Sequence, residues 1–311
     1  MKTERYNVSI IVPAYNEEAS VSILHREIVN IMRSIDCVYE IIFVDDGSTD
    51  GTLAELKKLS PARIISFANN SGKSQALQAG FYEASGDYIL TLDGDLQDDP
   101  SEIPRFINKA REGADLVCGW KKKRMDPVSK KIISKFANFV ARKFSRVNIH
   151  DMNCGFKLYK SNVVKSLELY GDMHRYIPFI VSGMGFSVGE IPVNHRPRRY
   201  GKTKYGPGRL TRSLFDFFTL IFLRKFTDRP MHFFGFWGFL LSCVGFLSLF
   251  YLSWLKIVKE TPIGNRPLLI FGILLVIIGF QFLSLGFLGE LIIRRNKDRR
   301  QFNIREKIDN R

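Results

Sequence analysis

Acidic side chains follow several short apolar runs in the first hundred residues. Asp45 and Asp46 come after IIFV, Asp93 and Asp95 come after YILTL, and Glu17 follows VSIIVPAYN. Carboxylates crowded together raise one another's pKa unless a cation or hydrogen-bond donors satisfy them. An Asp-Gly-Asp sequence with oxygen-rich neighbours suits a hard ion such as Mg²⁺ or Mn²⁺, which also grips phosphates. A single Asp-Gly pair is more often a turn, so the prediction of an acidic site depends on the repetition of acids.

Basic side chains form two dense groups downstream of these acids. Residues 121–146 contain ten Lys or Arg against the single acid Asp126, and residues 196–212 contain seven with no acid. The planar guanidinium of Arg suits phosphate oxygens, and near a membrane each basic residue attracts anionic lipid by about 1 kcal/mol. The two groups therefore predict contact with phosphate or with a membrane surface. For most of these residues individually, we expect adhesion to the membrane surface alone.

The acids stand at the ends of apolar runs that alternate with helical patterns. Five runs are short, branched and nearly continuous, as in strands buried on both faces: 8–13, 40–46, 62–68, 88–94 and 114–120. Helical patterns separate them at 18–34, 50–59, 72–84 and 101–111. This alternation predicts an α/β domain with a mostly parallel, doubly wound sheet. Ligands bind at the carboxyl ends of such strands, so we expect the acids in one crevice.

Charge and apolar residues are segregated along the chain. Its 311 residues carry 46 Lys and Arg against 31 Asp and Glu, a formal net charge of +15. Residues 233–255 and 268–289 carry no formal charge, and we expect the second stretch to end at about 290. Each exceeds the roughly 20 helical residues that cross a hydrocarbon core. They are predicted to span a membrane, with a pair of buried core helices as the alternative.

Charges around these two stretches predict their orientation. The link between them holds Lys256, Lys259 and Arg266 with Glu260, whereas the segment after Ile293 holds eight Lys and Arg. Cytoplasmic flanks of spans are the richer in Lys and Arg. We therefore expect a multi-pass hairpin in the inner or plasma membrane, with the first domain and both termini in the cytoplasm. Four scattered cysteines predict neither a disulfide framework nor a zinc site.

An amphipathic pattern precedes the first span. Its apolar positions include Leu214, Phe215 and Phe218, which would lie on one side of a helix. Such a helix is typical of the headgroup layer, and packing on the soluble domain is the alternative. The predicted organisation has four parts: a catalytic domain at 1–208, an amphipathic juxtamembrane helix at 209–229, two spans within 230–293 at about 233–255 and 268–290, and a basic tail at 294–311.

Seven sequence strings carry a resemblance to a known family. PAYNEE, FVDDGSTDGT, NNSGKSQALQAG and TLDGDLQDDP together resemble the inverting family 2 glycosyltransferases, which have a GT-A fold. HDMNCGFKLYK, YGDMHRYIP and RRYGKTKYG are similar to the polyprenyl-phosphate hexosyltransferases. That group includes dolichol-phosphate-mannose-synthase-like enzymes and bactoprenol glucosyltransferases with two C-terminal spans. The resemblance covers nearly the whole chain.

The resemblance implies roles on the donor side of the reaction. Four residues match positions that hold the base and ribose of a nucleotide sugar: Pro13, Tyr15, Glu17 and Asp46. Asp93 and Asp95 match the motif that holds Mg²⁺ or Mn²⁺ against the donor diphosphate, and Gln97 lies beside them. The ion would offset the charge that develops on the departing nucleoside diphosphate, so Asp95 is counted among the catalytic residues.

The resemblance also implies roles on the acceptor side. Asp151 matches the catalytic base. A phosphate monoester has a second pKa of about 6, so its attacking oxygen is mostly ionised already and Asp151 either orients it or collects a residual proton. Five basic residues match phosphate-binding or acceptor-binding positions: Arg199, Lys202, Lys204, Lys121 and Lys135.

These implications predict an inverting enzyme that moves one hexose from a nucleotide sugar to polyprenyl (undecaprenyl) phosphate. Glucose from UDP-glucose is the predicted donor, and mannose from GDP-mannose is the alternative. A processive polysaccharide synthase would carry a Q-x-x-R-W string and more spans, which this sequence lacks. A charge of +15 alone suggests nucleic acid, but the basic groups lie beside membrane segments, so we expect a membrane and no nucleic acid as partner. Relatives imply a homo-oligomer.

Overall fold

The computed structural model of the chain describes residues 6–122, 149–169, 171–197, 222, 226 and 229–296, with side chains to residue 292. The chain divides into two compact units, Met1–Phe217 and Phe218–Arg311. The first contains a seven-stranded sheet flanked by helices, and the second contains two long helices.

The sheet is built from seven strands, namely β1 (Asn7–Ala14), β2 (Val38–Asp45), β3 (Arg63–Ser66), β4 (Tyr88–Thr91), β5 (Leu116–Lys121), β6 (Lys157–Lys160) and β7 (Val188–Val193). Their order across the sheet is β3-β2-β1-β4-β6-β5-β7. All pairs are parallel except the two that β6 forms with β4 and β5. The mostly parallel α/β sheet predicted from the sequence is therefore confirmed, and each of the five predicted apolar runs overlaps a strand.

Strands β6 and β7 were not predicted from the sequence. For β6, the composition of the strand explains why. Its sequence KLYK places Lys157 and Lys160 where an apolar run would be expected, so the strand does not stand out by hydrophobicity. Lys157 is nevertheless buried within the sheet. Because β6 runs against its neighbours, its first residue, rather than its last, lies beside the carboxyl ends of the parallel strands.

Helices cover both faces of the sheet and connect its strands: α1 (Val21–Arg33), α2 (Thr52–Leu56), α3 (Lys73–Glu83), α4 (Ile103–Arg111), α5 (Ser161–Lys165) and α6 (Ile177–Gly183). The buried side of α1 includes Leu24 and Ile28, which lie in the main hydrophobic cluster. Phe106 of α4 stacks on Phe156, with ring centroids 4.2 Å apart. This packing leaves the loops after β1, β2, β3 and β4 together at one edge.

The second unit is a pair of 30-residue helices, α7 (Pro230–Lys259) and α8 (Pro267–Asn296). Both are long and apolar enough to cross a membrane. Their backbones approach closely: a Cβ on Gly238 would lie 2.7 Å from the carbonyl oxygen of Gly279. Most of their large apolar side chains face outward, as Phe250 and Ile257 do. Helices buried in a soluble core would hide these side chains, so the exposure favours lipid as their surroundings.

The predicted amphipathic helix falls almost entirely outside the described residues. Phe222 and Phe226 are described, and their rings contact Phe233 at the start of α7. The boundaries predicted at 208, 229 and 293 remain predictions.

Candidate active site

The loops after β1 and β2 are joined by hydrogen bonds. The backbone N–H of Asn16 donates to Ser48 Oγ at 2.9 Å, and Asn16 Oδ1 accepts from the backbone N–H of Thr49 at 2.8 Å. The backbone N–H of Glu17 donates to Thr52 Oγ1 at 2.8 Å. Asn16 has a φ of 52°, a left-handed conformation that Asn tolerates better than most residues. The PAYNEE and DDGSTDGT segments therefore form one scaffold, with Pro13 at the end of β1 and Tyr15 just beyond it.

Asp46 is buried and holds the loop after β3. Its carboxylate accepts from the backbone N–H groups of Ser71 at 2.7 Å and Gly72 at 3.0 Å, and from Asn70 Nδ2 at 3.1 Å. Burial raises the pKa of Asp46 above its usual value, and the N–H groups of Ser71 and Gly72 act against that rise. The residue that sequence analysis assigned to the nucleotide is thus also the anchor of the NNSG loop.

Asp93 lies among three lysines after β4. Its Oδ1 is paired with Lys73 Nζ, and the positive charges of Lys121 and Lys157 also act on the carboxylate. Burial alone would raise the pKa of Asp93, but the ammonium of Lys73, followed by Lys121, lowers it to about 2. Gly155 makes room for this carboxylate, because a Cβ there would lie 2.6 Å from Asp93 Cγ.

Asp95 and Asp98 occupy the turn that follows. Asp95 Oδ1 accepts from the backbone N–H of Gln97 at 3.2 Å, and the intervening Leu96 has a φ of 61°. Asp98 Oδ1 pairs with Lys121 Nζ at 3.0 Å. Burial alone would lower the pKa of Lys121, but the carboxylate of Asp98 raises it well above its usual value. Lys121, predicted on the acceptor side, is therefore a fixed positive charge at this edge of the sheet.

Asp151 lies in the segment between residue 149 and β6, and it is only 2% exposed. Its Oδ1 accepts from the backbone N–H of Asn153 at 3.2 Å. The electrostatic surroundings of the Cys154 thiol include Lys121, Asp98 and Asp151. The structure thus brings the predicted catalytic acid of one loop near the acid–lysine cluster of another.

A small cleft adjoins Lys73, the partner of Asp93, and its lining also includes Thr91, Asn153, Lys157 and His174. Lys157 Nζ donates to the carbonyl oxygen of Cys154. The backbone N–H of His174 donates to Ser74 Oγ at 3.1 Å, and that oxygen lies 2.9 Å from His174 Nδ1. Burial and the nearby Lys73 hold the pKa of His174 well below its ordinary value. The ring is therefore neutral at physiological pH and offers hydrogen bonds without charge.

The two buried cysteines beside this cleft are not poised for nucleophilic chemistry. Burial raises the pKa of Cys118 and that of Cys154 to about 12. Thiols in that state are almost entirely protonated at neutral pH.

The side chains that could act as metal ligands determine how a divalent ion would fit. Among the described residues there is no group of three or more His, Cys, Asp or Glu that could hold a metal ion. Mg²⁺ commonly takes one or two protein carboxylates together with substrate phosphates and water. Asp95 fits that pattern as one carboxylate, whereas Asp93 is already neutralised by Lys73. A diphosphate would have to supply much of the coordination.

Some predicted site residues lie outside the described part of the chain: Lys135, Arg199, Lys202 and Lys204. Others present in the site were not predicted, namely Lys73, Asp98, Lys157 and His174. Lys73 is the first residue of α3, the helix that follows β3. Its position at the start of a helix that follows a strand was the signal that could have identified it.

A mostly parallel α/β sheet with acids and lysines at the ends of its strands agrees with a GT-A fold, and comparison with known proteins identifies the family. The model of glycosyl transferase family 2 matches residues 9–167. The chain is 38% identical to the dodecaprenyl-phosphate galacturonate synthase of Rhizobium johnstonii, over 92% of this chain and 88% of that protein. It is 32% identical to the undecaprenyl-phosphate 4-deoxy-4-formamido-L-arabinose transferase of Pseudomonas paraeruginosa, over 94% of this chain and 86% of that protein. The chain belongs to glycosyl transferase family 2.

Solved structures support the fold of the first unit. Glucosyl-3-phosphoglycerate synthase from Mycobacterium tuberculosis, solved with Mn²⁺, UDP and glucosyl-3-phosphoglycerate, matches with a TM-score of 0.55 at 20% identity. The match covers 70% of this chain and 80% of that one. At this identity the likeness establishes the GT-A fold.

Proposed function

We propose that this glycosyltransferase moves one sugar from a nucleotide sugar to a polyprenyl phosphate at the cytoplasmic face of a membrane. The observation that carries the proposal is the extent of the similarity to the Rhizobium galacturonate synthase. It covers 92% of this chain, so it includes helical residues of the second unit as well as the α/β domain. A lipid phosphate is an acceptor that would require both parts.

The donor side of the proposal uses the loops after β1, β2 and β4. Pro13, Tyr15, Glu17 and Asp46 would hold the base and ribose, and a carboxylate is a suitable ribose partner because it accepts hydrogen bonds from hydroxyl groups. The joining of these loops through Asn16 and Thr49 supports a preformed nucleoside site. Gln97 lies next to the Asp95 turn and would face the donor phosphates or sugar.

A divalent ion, Mg²⁺ or Mn²⁺, is proposed at Asp95 together with the donor diphosphate. When bound, it would neutralise charge on the leaving nucleoside diphosphate. Asp93 would hold Lys73 at the edge of the cleft, where the ammonium group would bind donor phosphates, and the Asp93 carboxylate would accept from donor hydroxyls. The Mycobacterium structure with Mn²⁺ and UDP supports the choice of ion.

The acceptor side uses Asp151 and the basic residues. The lipid phosphate has a second pKa of about 6, so at neutral pH its oxygen attacks the anomeric carbon with little need for a base. Asp151 would orient that phosphate and take a residual proton. Lys121, held by Asp98, would supply one fixed positive charge. Lys135, Arg199, Lys202 and Lys204 are proposed to bind phosphate as well. Displacement in one step inverts the anomeric centre.

The identity of the sugar remains a narrower proposal. Glucose from UDP-glucose is the donor that the sequence predicts, and mannose from GDP-mannose is its alternative. The two relatives are named for galacturonate and for 4-deoxy-4-formamido-L-arabinose. A panel of donors should therefore include nucleotide-activated uronic acid and formamido-pentose.

The second unit is proposed to cross the inner or plasma membrane twice, with both termini and the catalytic domain in the cytoplasm. The outward-facing apolar side chains of α7 and α8 support insertion in lipid. Lys and Arg are sparse between the helices and abundant beyond them, which supports this orientation. Assembly as a homo-oligomer is proposed from the resemblance alone.

The test is transfer by the purified full chain in nanodiscs. Each radiolabelled UDP- or GDP-sugar is supplied with undecaprenyl phosphate and either Mg²⁺ or Mn²⁺, and lipid-soluble product is counted. We expect one sugar per lipid from a single preferred donor, with loss of turnover in EDTA. Polymeric product, or no transfer to lipid from any donor in the panel, would overturn the proposal.

A further inference from the structure

Glu190 lies on β7 on the same side of the sheet as the cleft. It is in register with Cys118 of β5, and Cys118 is in register with Lys157 of β6. Paired residues on neighbouring strands project to the same face of a sheet. Its neighbours Ile191 and Val193 belong to the hydrophobic cluster. Because successive side chains alternate between faces, Glu190 projects away from the side that carries Ile191.

The carboxylate of Glu190 grips the backbone immediately before the proposed acceptor-orienting acid. Glu190 Oε1 accepts from the N–H of His150 at 2.9 Å and from the N–H of Asp151 at 3.0 Å. Glu190 Oε2 lies 2.8 Å from His150 Nδ1. An ionised carboxylate only accepts hydrogen bonds, so Nδ1 carries the proton that it donates. Three donors from two consecutive residues therefore converge on one side chain.

A second contact holds the same point of the chain. The indole ring of Trp120, on β5, stacks on the ring of His150 with centroids 4.2 Å apart and an angle of 17° between planes. Trp120 is in register with Pro192 of β7. His150 is thus held from β5 by its ring and from β7 by its backbone and Nδ1.

The segment from residue 149 to 156 has no helix or strand of its own. Its conformation therefore depends on such side-chain bonds rather than on a ladder of backbone bonds. Hydrogen bonds to a charged acceptor are the stronger kind. A misplacement of about 1 Å in a reacting group can cost on the order of 100-fold in rate. The bonds to Glu190 set the direction in which Asp151 leaves the backbone.

We propose that Glu190 is a positioning residue for Asp151: its carboxylate fixes the backbone at 150–151 so that Asp151 meets the acceptor phosphate. The inference rests on the proposed function of Asp151. Glu190 itself contacts neither donor nor acceptor in this scheme. Its loss should therefore act on the rate of the chemical step and leave donor binding intact.

Two variants of Glu190 and a matched control test the proposal in the full chain. Glu190→Ala removes all three bonds, whereas Glu190→Gln retains an oxygen that can accept from both backbone N–H groups. Glu40→Ala is the control, because Glu40 similarly binds Ser85 N and Ser9 Oγ, but at the other end of the strands. We expect Glu190→Ala to lower kcat about 30- to 100-fold with donor KM within about threefold, while Glu190→Gln and Glu40→Ala stay within about threefold of wild-type kcat.

A double-mutant cycle separates positioning from general loss of structure. In the Asp151→Asn background, Glu190→Ala should lower kcat by less than about threefold, because the residue that Glu190 positions has already lost its charge. Equal costs in both backgrounds would overturn the proposal. So would a kcat for Glu190→Ala that matches that of Glu40→Ala.

Hydrogen exchange provides a readout that does not depend on turnover. Peptides that cover residues 149–153 should exchange faster in Glu190→Ala than in the wild type and remain protected in Glu190→Gln. Unchanged exchange in Glu190→Ala would refute the proposal that Glu190 fixes the backbone at residues 150–151. A wild-type chain that transfers sugar to no lipid phosphate would instead remove the proposed function, and the exchange result would still decide whether Glu190 fixes this backbone.

Discussion

Lys73, the first residue of α3, forms an ion pair with Asp93, the acid that follows β4. The pair gives the two acids of the Asp-Gly-Asp sequence different surroundings. Asp93 is compensated by a lysine and has a pKa of about 2, whereas Asp95 accepts from the backbone N–H of Gln97. We therefore expect substitutions at Asp93 and Asp95 to have different effects on turnover. We also expect Asp95 to be the better metal ligand of the two.

Replacement of Gly155 by Ala should disturb Asp93 without replacing any ionisable residue. The added Cβ would lie 2.6 Å from Asp93 Cγ, so the carboxylate that pairs with Lys73 must shift. We expect at least a tenfold loss of kcat/KM and destabilisation of about 1–3 kcal/mol, which is typical of overpacking. Steady-state kinetics and thermal unfolding measure the two effects.

Gly264→Ala provides the control for Gly155→Ala, because nothing lies within 4 Å of a Cβ at Gly264. Kinetics of Gly155→Ala that equal those of Gly264→Ala would show that the position of Asp93 does not matter for turnover.

Asp95→Asn should abolish metal-dependent turnover while the domain stays folded. The amide oxygen can still accept from the N–H of Gln97, so the turn survives, but the charge that attracts a divalent ion is lost. We expect turnover to fall at least about 100-fold, with a thermal midpoint close to that of wild type. Asp87→Asn is the control, since Asp87 also accepts from a backbone N–H, that of Asn7, at the opposite end of the strands. Wild-type rates for Asp95→Asn in EDTA would contradict a metal role.

Asp151→Asn should lower kcat more than it weakens donor binding. The substitution keeps an oxygen that can accept from the N–H of Asn153 but removes the carboxylate that would accept the residual proton of the acceptor phosphate. We expect a loss of about 100-fold in kcat with a donor KM within about threefold. Isothermal titration with the nucleoside diphosphate checks binding directly. Loss of nucleotide affinity in this variant would move Asp151 to the nucleotide side of the site.

His174 should make the protein less stable as the pH falls below the ordinary value of 6.5 for histidine. Its pKa is held below that value by burial and by Lys73, so below pH 6.5 the unfolded chain binds the proton more readily than the folded one. Stability is fully present above pH 6.5 and falls by about 1.4 kcal/mol per pH unit until the folded pKa is reached. His174→Asn should flatten this dependence between pH 7.5 and 5.5 in thermal unfolding of the full chain. Parallel curves of stability against pH for wild type and variant would show that His174 does not cause this pH dependence.

The sequence predicted the five apolar strands β1 to β5 because each has a run of branched residues bounded by polar turns. It also predicted that Asp93 and Asp95 follow a strand. Strand β6 escaped notice because Lys157 and Lys160 interrupt its hydrophobic pattern. Lys157 can be buried because it bonds the carbonyl oxygen of Cys154 and lies in the field of Asp93, which no local pattern reveals.

What the sequence alone determined are properties of neighbouring residues: periodicity, the placement of acids at the ends of strands, and two uncharged runs long enough to span a bilayer. Only the tertiary structure decided which distant groups meet, because the order of strands and the insertion of β6 depend on packing. Lys73 reaches Asp93 across 20 residues, and Glu190 reaches the N–H of Asp151 across 39. Such contacts depend on the sheet as a whole, and so the environment of each acid could not be read from its own segment.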